Sequence, residues 1–485
     1  MISSDYEQER AEFLEQLLKN KYGDRKFTDQ ENKANKLFLE KVVPSFTFKD
    51  DFYYDLAMKY KKEIQEHPFF QQISQMPKGC LLHHHFTQSI DVDWFMETVT
   101  NATNQKNIYQ RDFSSDVKTP YPIRLIYTLQ PREKGVPVEK VISNWLILHP
   151  LKTKRDFFLE KLSILPKEID TAKNNDDAWK IFMPKYHFAV HLLRYKEFYQ
   201  QHIMNVFRNC VNEKLYRLET RLTPTSLADE NMQPVPVEEE MQLYQDCVTE
   251  IQKTSPNFSF GIIFEIIRRS RVPQIEDLMR TAFELKKKYP DLIVAMDLDG
   301  DEDKSPTFEK LASTMLKAEE LKKEFQVDIP WILHCGESLK VTQQNPIDGY
   351  LMNAKRFGHG INLYKHSYLL PKLKEKNICI EINPISNQTL RNVRDLRMHP
   401  AIGYLNQGVK ICLNNDDPTI YNTKGVGYDI FVATVCCQFN LLDLKVIFLN
   451  SIECCEATDN QKRTYTNLFE KEWETFINNF IKNYS

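Results

Sequence analysis

Several features that would indicate particular classes of protein are missing from this sequence. Positive charge is not in excess, since 64 Lys and Arg residues are matched by 67 Asp and Glu residues, and this balance argues against nucleic acid as a partner. No apolar run approaches the roughly 18 residues of a membrane span, so we expect no membrane insertion. Glycine is also scarce, with 13 in 485 residues, and loops must therefore rely largely on Pro, Asn and Asp.

The ten cysteines form no recognisable framework. They lack the regular spacing of a small disulfide-bonded domain and the CxxC pairs of a zinc site, and several lie inside apolar runs. The N-terminal stretch MISSDYEQERAEFLEQ is charged and has no apolar segment of the kind found in signal peptides. Because the sequence begins at Met1, we expect no N-terminal cleavage. These features predict free thiols and a cytoplasmic location, and they disfavour an extracellular one.

The chain has two predicted parts. Residues 1–70 show the amphipathic pattern of helices, which predicts an N-terminal helical extension ahead of one large domain over residues 71–485. In that domain, eight short apolar runs alternate with longer helical patterns; the runs are residues 79–85, 215–222, 258–267, 292–300, 328–337, 356–363, 377–386 and 409–417. About 130 residues separate the first two runs, which predicts an inserted subdomain at about residues 98–165.

The alternation of strands and helices predicts an α/β fold, either a (β/α)8 TIM barrel or a doubly wound sheet. Polar side chains at or just past the C-terminal ends of the runs favour the barrel, because the active site of that fold lies at this end. A doubly wound sheet would concentrate such groups at one switch point. The polar residues are His83, His85, Glu219, Asp297, His334, Glu337, His359, Asn387, Asp416 and Asp417.

The stretch GCLLHHHFTQ (79–88) contains three of the 12 histidines. Successive side chains of a strand point to opposite faces, so His83 and His85 share one face and His84 takes the other, where we expect a neutral packing role. Three histidines in a row can equally form a hydrogen-bonded core cluster or a turn. The predicted barrel places two of them beside other ligand types.

His334 ends the fifth run, and either Asp416 or Asp417 ends the eighth. Nitrogen and carboxylate ligands together suit zinc with one position open for water, and such a site supplies hydroxide near neutral pH. Glu337 lies three residues after His334, where it can act as a general acid or base. His359, in the motif FGHG, is placed to orient or stabilise the hydroxide.

The sequence here resembles a known family. The blocks MPKGCLLHHH, HCGES, RFGHGINL, NPISNQ and NNDDP are similar to the signature blocks of the adenosine deaminases, in the metallo-dependent amidohydrolase superfamily. The likeness is greatest to the growth-factor-like subgroup, adenosine deaminase 2 and its relatives, and covers about residues 65–485 in order. It implies a zinc-dependent barrel enzyme that converts adenosine, and 2′-deoxyadenosine, to inosine and ammonia.

The resemblance also implies roles for individual residues. Glu337 matches the residue that protonates purine N1, and His359 matches the one that stabilises the attacking hydroxide. Asp417 matches the carboxylate on the N7 side, and the backbone of Gly300 matches the N3 contact; Trp179 is expected in the substrate pocket. One zinc ion per chain is implied, held by His83, His85, His334 and Asp416.

Phe86 departs from the subgroup pattern, which has Asp directly after HxH. If Phe86 lies at the mouth of the pocket, it cannot hydrogen-bond a ribose hydroxyl, so this position predicts a raised KM for adenosine and weaker discrimination against 2′- and 5′-deoxyadenosine. Alternatively, Phe86 turns into the barrel wall and another group, such as Arg269, reaches the sugar. Smaller replacements at Cys335, Asn383 and Asn414 leave the predicted metal site intact.

Two alternatives to this function stay open. The chain could be a structural or assembly subunit that keeps the deaminase fold, or it could deaminate another aminopurine nucleoside or nucleotide. The expected small-molecule partner is a purine nucleoside. From the resemblance we also expect a homodimer formed through the N-terminal helices, either alone or within a larger assembly.

Overall fold

The computed structural model of the protein describes residues 4–113, 121, 123–129, 135–224, 227–231 and 233–485. Parts of the predicted insertion, residues 114–120, 122 and 130–134, lie outside the described residues. Within the described part, no helix has both the length and the apolar character needed to cross a membrane.

The first segment of the chain is helical. Its helices are α1 (Ser4–Tyr22), α2 (Asp29–Leu37), α3 (Asp50–Tyr54), α4 (Lys61–Glu66) and α5 (Pro68–Gln75), with a π-helix at Phe38–Val42 and 3-10 helices at Val43–Ser45 and Ala57–Tyr60. A capping box starts α2, because the Thr28 hydroxyl accepts from the Glu31 amide while the Glu31 carboxylate accepts from the Thr28 amide. Glu31 is buried and pairs with Lys445 at 2.7 Å, which ties α2 to the main domain.

A long insertion follows the first barrel strand. Its antiparallel sheet has β2 at the centre. The elements in order are β1 (Gly79–Leu81), α6 (Val92–Thr100), β2 (Ile108–Asp112), β3 (Ile123–Tyr127), β4 (Val136–Pro137), α7 (Val138–Leu148), α8 (Lys154–Leu162), α9 (Pro166–Ile169), α10 (Asn175–Leu193) and α11 (Lys196–Asn212), with 3-10 helices at Phe86–Gln88 and Gln105–Asn107.

Seven further strands alternate with helices. The strands are β5 (Leu215–Leu222), β6 (Ser259–Ile267), β7 (Ile293–Asp299), β8 (Ile332–Cys335), β9 (Arg356–His359), β10 (Cys379–Ile382) and β11 (Ile411–Leu413). The helices are α12 (Val237–Gln252), α13 (Val272–Lys288), α14 (Phe308–Met315), α15 (Lys317–Phe325), α16 (Asn345–Leu351), α17 (Leu370–Glu375), α18 (Pro384–Thr389), α19 (Ala401–Asn406), α20 (Gly427–Cys436), α21 (Leu441–Cys454) and α22 (Asp459–Tyr484), with 3-10 helices at Ile361–Leu369 and Leu396–Met398.

The eight strands close into a barrel. They form two parallel four-stranded sheets, β1–β5–β6–β7 and β8–β9–β10–β11. Parallel bridges between Met296 and Trp331 and between His84 and Asp416 join the two sheets on both sides. The predicted (β/α)8 barrel with a helical extension is therefore confirmed, and each predicted run contains one of its strands.

A buried network of arginines and carboxylates lies inside the barrel, below the C-terminal strand ends. The Arg356 guanidinium donates to Glu381 at 2.6 Å and to Glu219 at 2.7 Å. Arg217 donates to Glu219 from the other side, also at 2.7 Å. Removing one partner of a buried ion pair leaves an uncompensated charge. Each member of this network is therefore needed to keep the others in place below the strand ends.

Candidate active site

The three consecutive histidines lie just beyond the regular part of β1. The Asn414 side-chain oxygen accepts hydrogen bonds from the consecutive amides of Leu82 and His83, at 2.9 and 3.0 Å, which marks a local bend. Strand-like pairing resumes in the parallel bridges His84–Asp416 and His85–Arg221. His84 points away from the barrel axis, with its Nδ1 2.7 Å from the Thr220 hydroxyl. Burial lowers the pKa of His84 to about 3, so this ring is neutral, as expected for a packing role.

The four predicted metal ligands converge at the barrel mouth. Asp416 Oδ1 lies 3.2 Å from Nε2 of His83 and 3.3 Å from Nε2 of His85. Nε2 of His334 lies 3.3 Å from Nε2 of His85, and the rings of His83 and His334 are 4.7 Å apart. The barrel thus brings together residues that are more than 300 positions apart in the sequence.

Each of these three histidines directs its Nδ1 to a buried carboxylate. The contacts are His83 to Glu381 at 2.7 Å, His85 to Glu265 at 3.1 Å and His334 to Asp297 at 2.5 Å. A carboxylate holds the proton on Nδ1 and leaves the lone pair on Nε2 facing the centre, as in carboxylate–histidine–metal arrangements.

Arg221 links two of these carboxylates from below. Its guanidinium donates to Asp297 at 2.7 Å and to Glu381 at 2.8 Å. Although burial opposes ionisation, the hydrogen-bonded His334 ring and the Arg221 guanidinium hold the pKa of Asp297 well below its usual range. The same is true of Glu381 beside Arg221 and Arg356. Both carboxylates are therefore ionised and hold the imidazole rings in place.

The donor set fits a divalent metal. Nε2 of His83 is buried and has no hydrogen-bond partner. The close approach of the His85 and His334 Nε2 atoms brings two lone pairs together, which a cation between them would stabilise. Three imidazole nitrogens and one carboxylate are typical zinc ligands. Three overlapping groups have ligand atoms within 4.8 Å of one another: His83, His334, His359 and Asp416; His85, Asp299 and His334; and His85, Asp416 and Asp417.

A cavity of about 350 Å³ opens beside the cluster. This volume lies in the range of about 300–1,000 Å³ that is usual for small-molecule sites. The predicted residues Glu337, His359, Asp417, Gly300 and Trp179 all line it. Arg269 also lines the cavity. This agrees with the alternative in which Arg269, and not Phe86, reaches the sugar. Trp179 belongs to α10, so the insertion supplies one wall of the cavity.

Glu337 is carried on a tight loop after β8, where Gly336 has a φ of +80°. The Glu302 carboxylate clamps this loop, accepting from the amides of Gly336 at 3.1 Å and Ser338 at 2.6 Å. Asn345 donates to the same carboxylate at 2.7 Å. Glu302 therefore positions Glu337, whose Oε1 lies 3.5 Å from Nε2 of His359.

Burial raises the pKa of Glu337 to about 8, with the Glu302 charge adding to the shift and His334 opposing it. The carboxyl is therefore protonated at neutral pH and can donate that proton. The pKa of Asp417 is raised as well. Burial and the charge of the neighbouring Asp416 bring it well above its usual range. The Oδ1 atom of Asp417 is buried without a partner.

We expect turnover to decline as the pH rises through the pKa of Glu337. The acid form is present below about pH 8 and is lost above it, while a bound cation would lower this pKa by stabilising the carboxylate. The alkaline limb of the kcat profile should therefore lie at or below about pH 8. A profile measured from about pH 6 to 10 that stays flat across this range would contradict the assignment.

Gly300 follows β7 with a φ of +119°, in a region that side-chain-bearing residues rarely adopt. Its amide donates to Asp299 Oδ1 at 2.5 Å. Asp299 also lines the cavity, and its Oδ1 lies 3.6 Å from Nε2 of His334. This carboxylate adds negative charge at the edge of the candidate metal site.

The prediction that Phe86 lies at the mouth of the pocket is wrong. Its ring is fully buried in the wall behind β1, within 5.0–6.2 Å of the rings of Tyr199, His202, Tyr244 and Phe260. Alternation along the chain already places Phe86 opposite His85 and on the same face as His84, whose ring centroid lies 6.4 Å away, and a 3-10 turn begins at Phe86. The expected effects of Phe86 on KM and sugar discrimination lose their basis.

Replacing Phe86 by Ala is expected to lower stability and to leave sugar selectivity unchanged. Truncating a buried Phe removes apolar contacts and leaves a cavity, at a cost of about 3–5 kcal/mol in the free energy of unfolding. Urea unfolding monitored by circular dichroism measures this. Met398→Ala is the control, because Met398 is 78% exposed and its truncation should change stability by less than about 0.5 kcal/mol. Equal stability of both variants would contradict the packing role.

Sequence reasoning missed the supporting residues of the site. Glu265 and Glu381 were overlooked although each is a charged residue inside an otherwise apolar strand, a signal that could have pointed to them. Asp297 lies at the end of a predicted strand, but no local pattern assigns it a partner. Glu302 and Asp299 follow in the acidic stretch DLDGDED, where sequence alone does not separate site residues from a solvated loop.

Comparisons with solved structures agree with this architecture. The N6-mAMP deaminase of Arabidopsis superposes with a TM-score of 0.57 at 15% identity, covering 83% of this chain and 99% of that one. An amidohydrolase from Burkholderia ambifaria, solved with bound zinc, superposes with a TM-score of 0.52 at 15% identity, covering 85% and 94%. At this identity the likeness shows the fold alone. Fold and site together define a (β/α)8-barrel protein with a candidate metal site beside a cavity.

Sequence comparison gives the family. The profile of the family described as adenosine deaminase matches residues 151–471, more than half of the chain. Adenosine deaminase 2-A of Danio rerio is 26% identical, covering 86% of this chain and 83% of its own. Adenosine deaminase 2 of Dictyostelium discoideum is 26% identical, covering 99% and 89%. The chain belongs to the adenosine deaminase family, resembles its adenosine deaminase 2 subgroup, and is a hydrolytic deaminase.

Proposed function

We propose that the protein hydrolyses adenosine, and 2′-deoxyadenosine, to inosine and ammonia with one zinc ion per chain. One observation carries the proposal: the Glu337 carboxyl, whose pKa is raised by burial, lines the same cavity as the candidate ligands His85, His334 and Asp416. Zinc at His83, His85, His334 and Asp416 would lower the pKa of a water molecule and supply hydroxide. We include the deoxynucleoside because the groups assigned to the substrate meet the base and not the sugar.

The residues of the chain account for the remaining steps. Glu337 donates its proton to N1 of the purine, which makes C6 electrophilic. The water oxygen forms a bond to C6, and the C6–N6 bond breaks. One proton of the water completes the ammonia formed from N6, the other returns to Glu337, and the proton that Glu337 delivered stays on N1 of inosine. The unpartnered Oδ1 of Asp417 is free to share a proton with N7, because the raised pKa of Asp417 favours its protonated form.

The charges at the cavity mouth favour a nucleoside over a nucleotide. Each lysine or arginine among the described cavity residues already has an acidic partner. Arg269 lies 3.5 Å from Asp301, Lys304 lies 2.7 Å from Asp176, and Lys180 lies 2.9 Å from Asp177. A 5′-phosphate would therefore meet paired charges, at a cost of about 1–3 kcal/mol for an imperfectly paired group.

The experiment that tests the proposal measures inosine and ammonia formation by the purified chain with adenosine, 2′-deoxyadenosine, AMP and N6-methyl-AMP. We expect kcat/KM for adenosine to exceed that for AMP by about 5–150-fold, the factor that 1–3 kcal/mol represents. Faster turnover of either nucleotide would favour the nucleotide deaminase alternative. No turnover of any of the four by protein that contains zinc would favour an assembly subunit.

We also propose that the protein forms a homodimer through α1. All side chains described between residues 6 and 20 of this helix are exposed. The apolar residues among them share one face, and Phe13 is 77%, Leu14 45%, Leu17 45% and Leu18 50% exposed. Tyr22 anchors the end of the helix to Asp443 at 2.8 Å. An apolar stripe of this kind is normally buried against another apolar surface. The same stripe on α1 of a second copy provides such a surface.

Replacing Phe13 and Leu17 together by Glu should convert a dimer into a monomer, because four introduced charges would face each other across the interface. Sedimentation velocity measures the outcome at several concentrations. Gln8→Glu is the control, because Gln8 is exposed on the opposite face of α1. An unchanged sedimentation profile in the double variant would reject α1 as the interface.

A cytoplasmic location is also proposed. The free state of all ten cysteines, nine of them buried, supports a reducing compartment. Localisation of a fluorescent fusion of the full-length chain in its native cells would test this proposal.

A further inference from the structure

His359 is held differently from the three histidines of the candidate metal site. Their Nδ1 atoms face carboxylates, whereas Nδ1 of His359 faces the side-chain nitrogen of Asn387 at 3.0 Å. A second amide nitrogen, that of Asn383, approaches the same atom at 3.4 Å. An amide nitrogen can only donate, so Nδ1 of His359 accepts, and the single proton of the neutral ring lies on Nε2.

The orientation of the Asn387 side-chain amide follows from its other hydrogen-bond partner, His399. The backbone amide of Ala401, which can only donate, lies 3.2 Å from Nδ1 of His399. Nδ1 of His399 therefore accepts, and its proton is on Nε2, which donates to Oδ1 of Asn387 at 3.0 Å. Reversing the Asn387 amide would require His399 to accept at both nitrogens, which a neutral imidazole cannot do.

The Asn383 contact supports the same orientation independently. Its side-chain nitrogen also donates to the Glu381 backbone carbonyl at 3.3 Å, and a carbonyl can only accept. The side chains of His359, Asn387 and His399 are all buried, so water does not compete for these hydrogen bonds. A backbone amide thus determines which nitrogen of His359 carries the proton, through two intervening side chains.

We propose that His399 and Asn387 are positioning residues that hold His359 as the Nε2–H tautomer. Nε2 of His359 lies 3.5 Å from Glu337 Oε1 and 3.9 Å from Asp416 Oδ2, so its N–H points into the reaction site. The proton keeps His359 out of the ligand set, although its atoms lie within the same cluster, and makes it a hydrogen-bond donor to the attacking oxygen. That catalytic consequence rests on the proposed function, whereas the tautomer does not.

The first test observes the tautomer directly. The ¹⁵N spectrum of histidine-labelled protein distinguishes protonated from unprotonated ring nitrogens, and the signals lost in His359→Gln assign His359. We expect Nε2–H in the parent chain. In Asn387→Asp a carboxylate accepts from both neighbours, so the proton of His359 should move to Nδ1. A parent ring protonated on Nδ1, or an Asn387→Asp variant with an unchanged tautomer, would overturn the proposal.

The second test separates positioning from general structural support. His399→Leu removes the donor to Asn387, whereas His399→Gln can still donate to it and accept from the Ala401 amide. We expect kcat to decrease by about 10²–10⁴-fold in Asn387→Asp and His399→Leu, as for other catalytic histidines in the wrong tautomer. KM in these two variants should stay within about threefold of the parent value, a difference of less than 1 kcal/mol. The kcat of His399→Gln should also lie within about threefold of the parent value.

Equal losses in His399→Gln and His399→Leu would overturn the role of His399, because only one of these side chains breaks the chain of hydrogen bonds. Failure of the proposed function would appear differently. If no nucleoside is deaminated but the parent and Asn387→Asp show the expected tautomers, the positioning role stands and the reaction assignment falls.

Discussion

Glu337→Gln is expected to lower kcat by about 10²–10⁴-fold, the usual contribution of a general acid. Glutamine preserves the shape of the side chain but cannot transfer a proton to N1. The loop geometry should survive, because Glu302 holds the loop through the Gly336 and Ser338 amides and not through the Glu337 side chain. Steady-state kinetics with adenosine measures the effect.

Two controls accompany the Glu337 variant. Glu309→Gln makes the same chemical change at an exposed residue of α14 and should leave kcat unchanged. Metal content of Glu337→Gln should equal that of the parent, because Glu337 is not among the proposed ligands. The acid assignment fails if Glu337→Gln turns over adenosine within about threefold of the parent, since that corresponds to less than 1 kcal/mol.

Removing the metal is expected to abolish turnover. Metal ions stabilise transition-state charge by several kcal/mol, so chelation should reduce kcat by about 10³-fold or more, and stoichiometric zinc should restore it. The thermal midpoint should fall as well, because a ligand that binds only the folded state stabilises it. Elemental analysis, kinetics and thermal unfolding of the same preparations measure all three quantities.

Asp416→Asn provides the matched variant for the metal. It keeps the size of the side chain but removes the charge that faces the His83 and His85 rings, so it should lower zinc occupancy. The exposed Asp459, at the start of α22, offers the same substitution as a control with unchanged occupancy. Full activity of parent protein that contains less than about a tenth of an equivalent of metal would contradict a metal-dependent reaction.

The barrel and its candidate ligands could be predicted from the sequence because both leave local signals. Eight apolar runs bounded by helical patterns indicate the strands, and polar residues at their C-terminal ends indicate the mouth of the barrel. His83 and His85 face the axis together because side chains alternate along an extended chain. None of these inferences needs contacts between distant residues beyond the fold class itself.

The partners of the site histidines and the packing of Phe86 were decided by the tertiary structure. Alternation along the chain puts Phe86 on the face opposite His85, but which rings surround it, His202 among them, depends on the closed wall of the barrel. His83 and Glu381 are 298 residues apart in sequence yet share a hydrogen bond. No local pattern specifies such a pair, because it exists only once the barrel has closed and brought the first and seventh strands around the same axis.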